Sequence, residues 1–166
     1  MFTLEKIEAF SKSELYAALE KQVHHLLEGE TDLIANAANF SALLYYSLPD
    51  LNWVGFYFYR NGELIVGPFQ GKPACVHIQI GKGVCGTAAE KRATVLVKNV
   101  HEFPGHIACD SASNSEIVIP LMKHGEFIGV LDIDSPVLER FDEDDQKGLE
   151  RLVHLFLEMT DYSTIL

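Results

Sequence analysis

The stretch that decides the fold is Trp53-Val-Gly-Phe-Tyr-Phe-Tyr-Arg-Asn-Gly-Glu-Leu-Ile-Val-Gly-Pro-Phe69. Trp53 to Tyr59 is rich in aromatic residues and reads as a strand. Asn61-Gly62 suits a type I′ turn, in which both central residues take positive φ. Leu64 to Phe69 then returns antiparallel. Side chains alternate across a strand, so Trp53, Gly55, Tyr57 and Tyr59 share one face and Val54, Phe56 and Phe58 the other. The second set reads as core. The first could line a pocket whose ring faces hold an apolar or cationic group. The competing reading makes Trp53 a large core residue and nothing more.

The pattern changes on either side of this hairpin. Upstream, Ser13 to Leu27 sets Leu15, Leu19, Val23 and Leu26 at helical intervals. Thr31 or Asp32 can cap a second helix carrying Leu33, Ala37, Phe40 and Leu44, with Pro49 ending it. Downstream, Cys75 to Ile80 reads as a short strand, Gly81 to Arg92 as a glycine-led turn into a short helix, and Thr94 to Val100 as another strand. His101 to Ser115 is a long polar loop. Ile117 to Met122 and Phe127 to Asp132 make a second hairpin around His124-Gly125, with Pro120 fitting an edge or bulged position. Asp142 caps a closing helix that buries Leu149, Leu152, Val153 and Phe156. Helices flanking a mainly antiparallel sheet define an α+β fold.

One domain accommodates all 166 residues, and 48% hydrophobic content is that of a folded chain. The formal charge is 13 − 24 = −11. That surface opposes nonspecific binding to nucleic acid or to an anionic membrane. No apolar run approaches the roughly 18 residues that span a bilayer. MFTLEKIEAFSKSE has no basic segment followed by an apolar block, so a cytoplasmic address is expected. Three cysteines in that compartment read as free thiols, a redox centre or a metal site rather than a disulfide framework.

Cys75, Cys85 and Cys109 match neither a close zinc pair nor a thioredoxin motif. Cys75 and Cys85 can be read as small buried hydrophobes. Cys109 lies in Gly105-His-Ile-Ala-Cys-Asp110, where no core position is expected. A reactive cysteine acts as its thiolate, favoured by exposure and nearby positive charge or N–H donors. His106 is one candidate for that charge, backbone N–H groups of the Ser-rich turn are another, and Asp110 opposes it. Cys85, near a helix start, has the dipole in its favour. These features point to a thiol redox enzyme with Cys109 as nucleophile and Cys75 and Cys85 as candidate resolving thiols. Zinc on His77, His101, His106 and the cysteines competes, without the usual ligand spacing.

Two further motifs carry chemistry. Asp132 and Asp134 end a strand at i and i+2 and so share a face, and Glu116 opens the neighbouring strand. Three acids brought together raise at least one pKa, and a protonated acid can donate a proton. Solvated strand-end acids, or a divalent-metal site, are the alternatives. Gly81-Lys-Gly-Val-Cys-Gly86 formally matches a dinucleotide fingerprint, with Glu102 about 20 residues on. The antiparallel surroundings argue for a tight turn before a helix instead.

Taken jointly, Asn52-Trp-Val-Gly-Phe-Tyr57, Gly67-Pro-Phe-Gln-Gly-Lys-Pro-Ala-Cys75, Gly83-Val-Cys-Gly-Thr87, Gly105-His-Ile-Ala-Cys-Asp110, Ser113-Asn-Ser-Glu116 and Gly129-Val-Leu-Asp-Ile-Asp-Ser135 strongly resemble the free methionine-(R)-sulfoxide reductases. These are single GAF-domain enzymes, and the likeness runs from about Ser13 to Leu155. It implies one GAF domain over residues 1–166 and a six-stranded antiparallel sheet between helices. It implies that Cys109 is the catalytic thiol and Cys75 its main resolving partner, with Cys85 able to take part in recycling. Glu116, Asp132 and Asp134 would hold the substrate and assist at the sulfoxide, with Glu116 the first candidate for proton donor. Trp53 and Tyr57 would wall the methyl-sulfur end. Thioredoxin would be the reductant and free methionine-(R)-sulfoxide the substrate, with no metal or organic cofactor needed. A homodimer rests on the likeness alone. The alternative is a GAF sensor module that binds a small ligand without catalysis.

Overall fold

The computed structural model describes residues 6–107 and 110–163. Its elements run α1 (Lys12–Leu27), α2 (Leu33–Ser47), β1 (Trp53–Arg60), β2 (Glu63–Gly71), β3 (His77–Gln79), α3 (Gly83–Lys91), β4 (Val95–Val97), a 3-10 turn (Val100–Glu102), β5 (Ser115–Lys123), β6 (Glu126–Ser135) and α4 (Glu143–Met159). All six strands join one sheet in the order β3-β2-β1-β6-β5-β4. Every pairing is antiparallel. The fold is α+β, as expected, and has no parallel βαβ unit for a dinucleotide. Within Gly81 to Gly86 the glycines serve packing. A Cβ on Gly86 would lie 2.3 Å from the Gln79 carbonyl oxygen, so the turn closes on bare backbone.

Helix starts follow their caps. Ser11, just upstream of the expected start, accepts from the Glu14 N–H, and Asp32 rather than Thr31 accepts from Ala35 N–H. Asp142 and Asp145 form a reciprocal capping box on α4. Pro120 has an open side although β5 is an inner strand. The partner β4 stops at Val95 opposite Val118, and a bulge follows between Leu121 and Met122.

Two expected strands are shorter than read. The segment before β3 bends over the sheet, where Trp53 Nε1 donates to the Lys72 carbonyl and Tyr57 OH to that of Cys75. Cys75 therefore precedes β3. At β4, Asn99 turns its side chain back to accept from His101 N–H and starts the 3-10 turn inside the expected loop.

The two faces of the sheet are packed differently. Val54, Phe56 and Phe58 join Ile117, Ile119, Leu131 and Ile133 against α1, α2 and α4 in a dry core. Phe56 stacks on Phe156 with centroids 4.8 Å apart. Truncating such a ring costs about 3–5 kcal/mol. One charge sits at the rim of this core: Asp145 is fully buried. It accepts from Tyr16 OH, Lys12 Nζ, both contacts of Arg140 Nη1 and the Asp142 N–H. On the opposite face α3 covers only part of the sheet, through Val84, Cys85, Ala88 and Ala89. Among the described residues no helix is long and apolar enough to cross a membrane.

Candidate functional site

The partly covered face holds a cleft with about 520 Å³ of empty space. Strand register builds its floor. Trp53 lies opposite Asp134 and Gly55 opposite Asp132. Glu116 lies opposite Asp134 and Val118 opposite Asp132. Alternation then sends Trp53, Tyr57, Glu116, Asp132 and Asp134 to the same side, and all five line the cleft. Gly55 carries no side chain into this floor. A Cβ there would come within 2.3 Å of Phe69 and 2.6 Å of Trp53. Trp53 is thus free to stack on Phe69 at 5.2 Å and on Tyr57 at 5.8 Å between centroids. Tyr59, at the far end of the same face, is exposed and outside the cleft.

Two of the acids are nearly sealed, Glu116 5% exposed and Asp132 7%, and Asp134 is half-buried. Burial is the first cause pushing all three carboxyls well above the usual carboxylate range. The second is a neighbouring acid: Asp134 for Glu116, Glu116 for Asp132, and Asp132 for Asp134. Ser113 pulls Asp134 partly back. Asp132 Oδ1 is buried with no hydrogen-bond partner among the described residues. The site is therefore a set of acids whose protonated form is favoured by burial and by one another, with spare hydrogen-bonding capacity at Asp132.

Cys85 sits inside this cluster, its Sγ 4.0 Å from Glu116 Oε1. The helix dipole does not govern it. Burial, then the charges of Asp132 and Glu116, push its thiol well up. Cys85, Glu116 and Asp132 offer ligand atoms within 4.8 Å of one another. Their raised pKa values mean that a cation could bind there only by displacing protons. Among the described residues the zinc set weighed from the sequence is not gathered. His77 pairs with Glu63 on an exposed strand, and His101 donates to Asn114 Oδ1 at the surface.

Cys75 is disulfide-bonded, whereas Cys85 is a free, buried thiol. Cys109 lies outside the described residues, but Ile107 and Asp110 on either side of it both line the cleft. His106 does not stand as an isolated cation. Burial lowers its pKa, and its Nε2 lies 3.5 Å from Glu116 Oε2. Asp110 is held below the usual carboxylate range, first by the Ala112 N–H and also by Lys72 and Asn52. Asn52 Nδ2 donates to both Asp110 and Ser113 and so ties the loop to the start of β1. Asn52, Lys72 and Ser113 drew no functional reading from the sequence. All three lie inside motifs that did, which is the one signal they carried.

The family model for the GAF domain matches residues 22–156, and the chain belongs to that class. A free methionine-R-sulfoxide reductase from Escherichia coli is 52% identical over 92% of this chain and 94% of its own length. A Neisseria meningitidis free methionine-R-sulfoxide reductase, solved with its substrate, superposes with a TM-score of 0.91. It is 43% identical and covers 96% of this chain and 95% of its own. The fRMsr of Staphylococcus aureus, also solved with substrate, gives 0.84 at 53% identity, covering 87% and 94%. Within the GAF class, the chain belongs to the free methionine-R-sulfoxide reductase family of oxidoreductases.

Proposed function

We propose that this chain reduces free methionine-(R)-sulfoxide to methionine through Cys109. The observation that carries this reading is a group of three acids with raised pKa values, two of them buried, beside two stacked rings, in a chain of this family. Sulfoxide reduction needs attack at sulfur while the oxygen gains a proton. The Cys109 thiolate supplies the first and Glu116 the second. Methionine leaves, and Cys109 becomes a sulfenic acid. The Cys75 thiol attacks that sulfur, its proton leaves with the displaced hydroxyl as water, and a Cys75–Cys109 disulfide forms. Thioredoxin returns both thiols by exchange. Cys75 takes this role ahead of Cys85, because it is the bonded cysteine and the thiol of Cys85 is buried and held protonated.

The acids also explain a preference for the free amino acid. An incoming ammonium lowers a neighbouring carboxyl's pKa, so Asp132 or Asp134 ionises as it gains its partner. A peptide nitrogen is an uncharged amide and provides no such gain. The methyl group packs toward Trp53 and the oxygen toward Glu116, which selects one hand at sulfur. The enzyme works in the cytoplasm, as one GAF domain with the assembly expected of a homodimer.

The test is thioredoxin-coupled NADPH oxidation with free methionine-(R)-sulfoxide, the S epimer and a sulfoxide-containing peptide. Turnover is expected with the first alone. Equal turnover of all three, or full activity in Cys109→Ser, would overturn the assignment.

A further inference from the structure

Each turnover by the proposed route leaves Glu116 without its proton. The balance is simple. The Cys109 thiolate gives two electrons to the sulfoxide sulfur, and the oxygen moves to Cys109 sulfur. The Glu116 proton completes the sulfenic acid. Methionine departs and Glu116 remains a carboxylate. One proton must return to a side chain that is 5% exposed before the next substrate can react.

The neighbours of Glu116 offer few routes. Asp132, Asp134 and Cys85 are themselves acids with raised pKa values, and a proton taken from any of them must also be replaced. His106 is different. It is the basic side chain in contact with the cluster, its Nε2 lies 3.5 Å from Glu116 Oε2, and its side chain keeps 15% of its surface in solvent against 7% for Glu116. It lines the cleft from the loop side, opposite the strands that carry the acids. We infer that His106 is the positioning residue that returns the proton to Glu116, taking it from solvent and handing it to Oε2.

The chemistry suits a histidine. A ring with two nitrogens can accept a proton on one and release one from the other. Burial lowers the His106 pKa and raises that of Glu116, which favours a proton passing from the ring to the carboxylate. When Glu116 becomes a carboxylate, its charge draws a proton onto the ring. Transfer from Nε2 to Oε2 then leaves both groups neutral. The 3.5 Å separation is of the length that catalytic contacts show before substrate closes a site.

This inference rests on the proposed reductase reading, and the two fail differently. The experiment measures methionine formation from free methionine-(R)-sulfoxide between pH 6 and pH 9, with reductant saturating. It compares wild type, His106→Gln and His106→Ala. Glutamine keeps a hydrogen-bonding group but cannot carry the proton. Lys82, Tyr57, Cys85, Glu116, Asp132 and Asp134 face the same cleft and stay in every variant, so the difference between profiles belongs to His106. Expected is a fall in kcat of about tenfold or more, with KM within about twofold, and a deficit that widens as pH rises and free protons become scarce. Added imidazole is expected to restore a large part of kcat in His106→Ala. Wild-type kcat in His106→Gln, a raised KM at unchanged kcat, or a pH-independent loss that imidazole does not repair would overturn the inference. Should His106→Ala not fold by circular dichroism, the pH profile of His106→Gln decides alone. No methionine from the wild type would instead overturn the reductase reading itself.

Discussion

Asp145 and Asp132 are both buried aspartates on a strand or helix that packs into the same sheet, yet their surroundings are opposite. Asp145 is met by Tyr16, Lys12, Arg140 and a backbone N–H. Asp132 meets another acid and a thiol, and one of its oxygens meets no donor among the described residues. A buried carboxyl enclosed by donors has its bonding capacity filled and holds elements together. An acid enclosed without a cation keeps its proton, and its unused bonding capacity is available to a ligand. The distinction between structural and functional burial in this chain is the presence of a partner, not the degree of exposure.

The sharpest way to test that contrast is Glu116→Gln. It is expected to lower kcat about 100- to 1000-fold, since the amide cannot donate a proton to the sulfoxide, while the fold persists. Steady-state kinetics with circular dichroism check both halves. Asp145→Ala should do the reverse. Removing the shared partner leaves Tyr16 and Arg140 unpaired and costs about 3 kcal/mol, a fall in Tm of roughly 6–12 °C, with kcat of the folded enzyme unchanged. A large loss of activity without loss of stability there would dissolve the contrast.

Acidity separates the two regions again. Glu116, Asp132 and Asp134 titrate higher folded than unfolded. As pH rises above the unfolded values, the unfolded chain loses protons that the folded chain keeps, so stability falls. That contribution is complete below about pH 4 and lost as pH climbs through the raised folded values. Asp132→Asn is thus expected to be about 1–2 kcal/mol more stable than wild type at pH 8 and no more stable at pH 4, by thermal melts at each. Asp142 has the opposite sign. Its pKa is pulled down to about 2, first by Lys12, so its contribution is present above its ordinary value of 3.8 and lost as pH falls through about 2. The smallest effect belongs to Lys72→Ala. Its ion pair with Asp110 at 3.2 Å is made by a lysine 69% exposed, so an unchanged Tm and about a twofold rise in KM are expected.

Much of this was legible in the chain itself. Asn61-Gly62 and the alternation from Trp53 to Phe58 carried the central hairpin and its two faces. The i, i+2 spacing of Asp132 and Asp134 put them together, and Glu116 followed from the second hairpin. The strand count came from family likeness, because a three-residue strand such as Val95–Val97 leaves no periodicity to read. The turn of His106 toward Glu116 was not legible either. A loop has no period, and the two are ten residues apart with only packing to join them. Cys85 misled for a related reason: its place at a helix start was visible, but the acids around it come from strands far along the chain.

The alternation along β1 has a consequence for how such a chain can change over generations. Neighbouring codons there answer to different demands. Substitutions at 54, 56 and 58 are weighed by whether the protein survives at all, and those at 53 and 57 by what it recognises. A lineage can therefore redraw its ligand by editing residues 53 and 57, without disturbing positions 54, 56 and 58, while Gly55 must stay bare for Phe69 and Trp53 to fit.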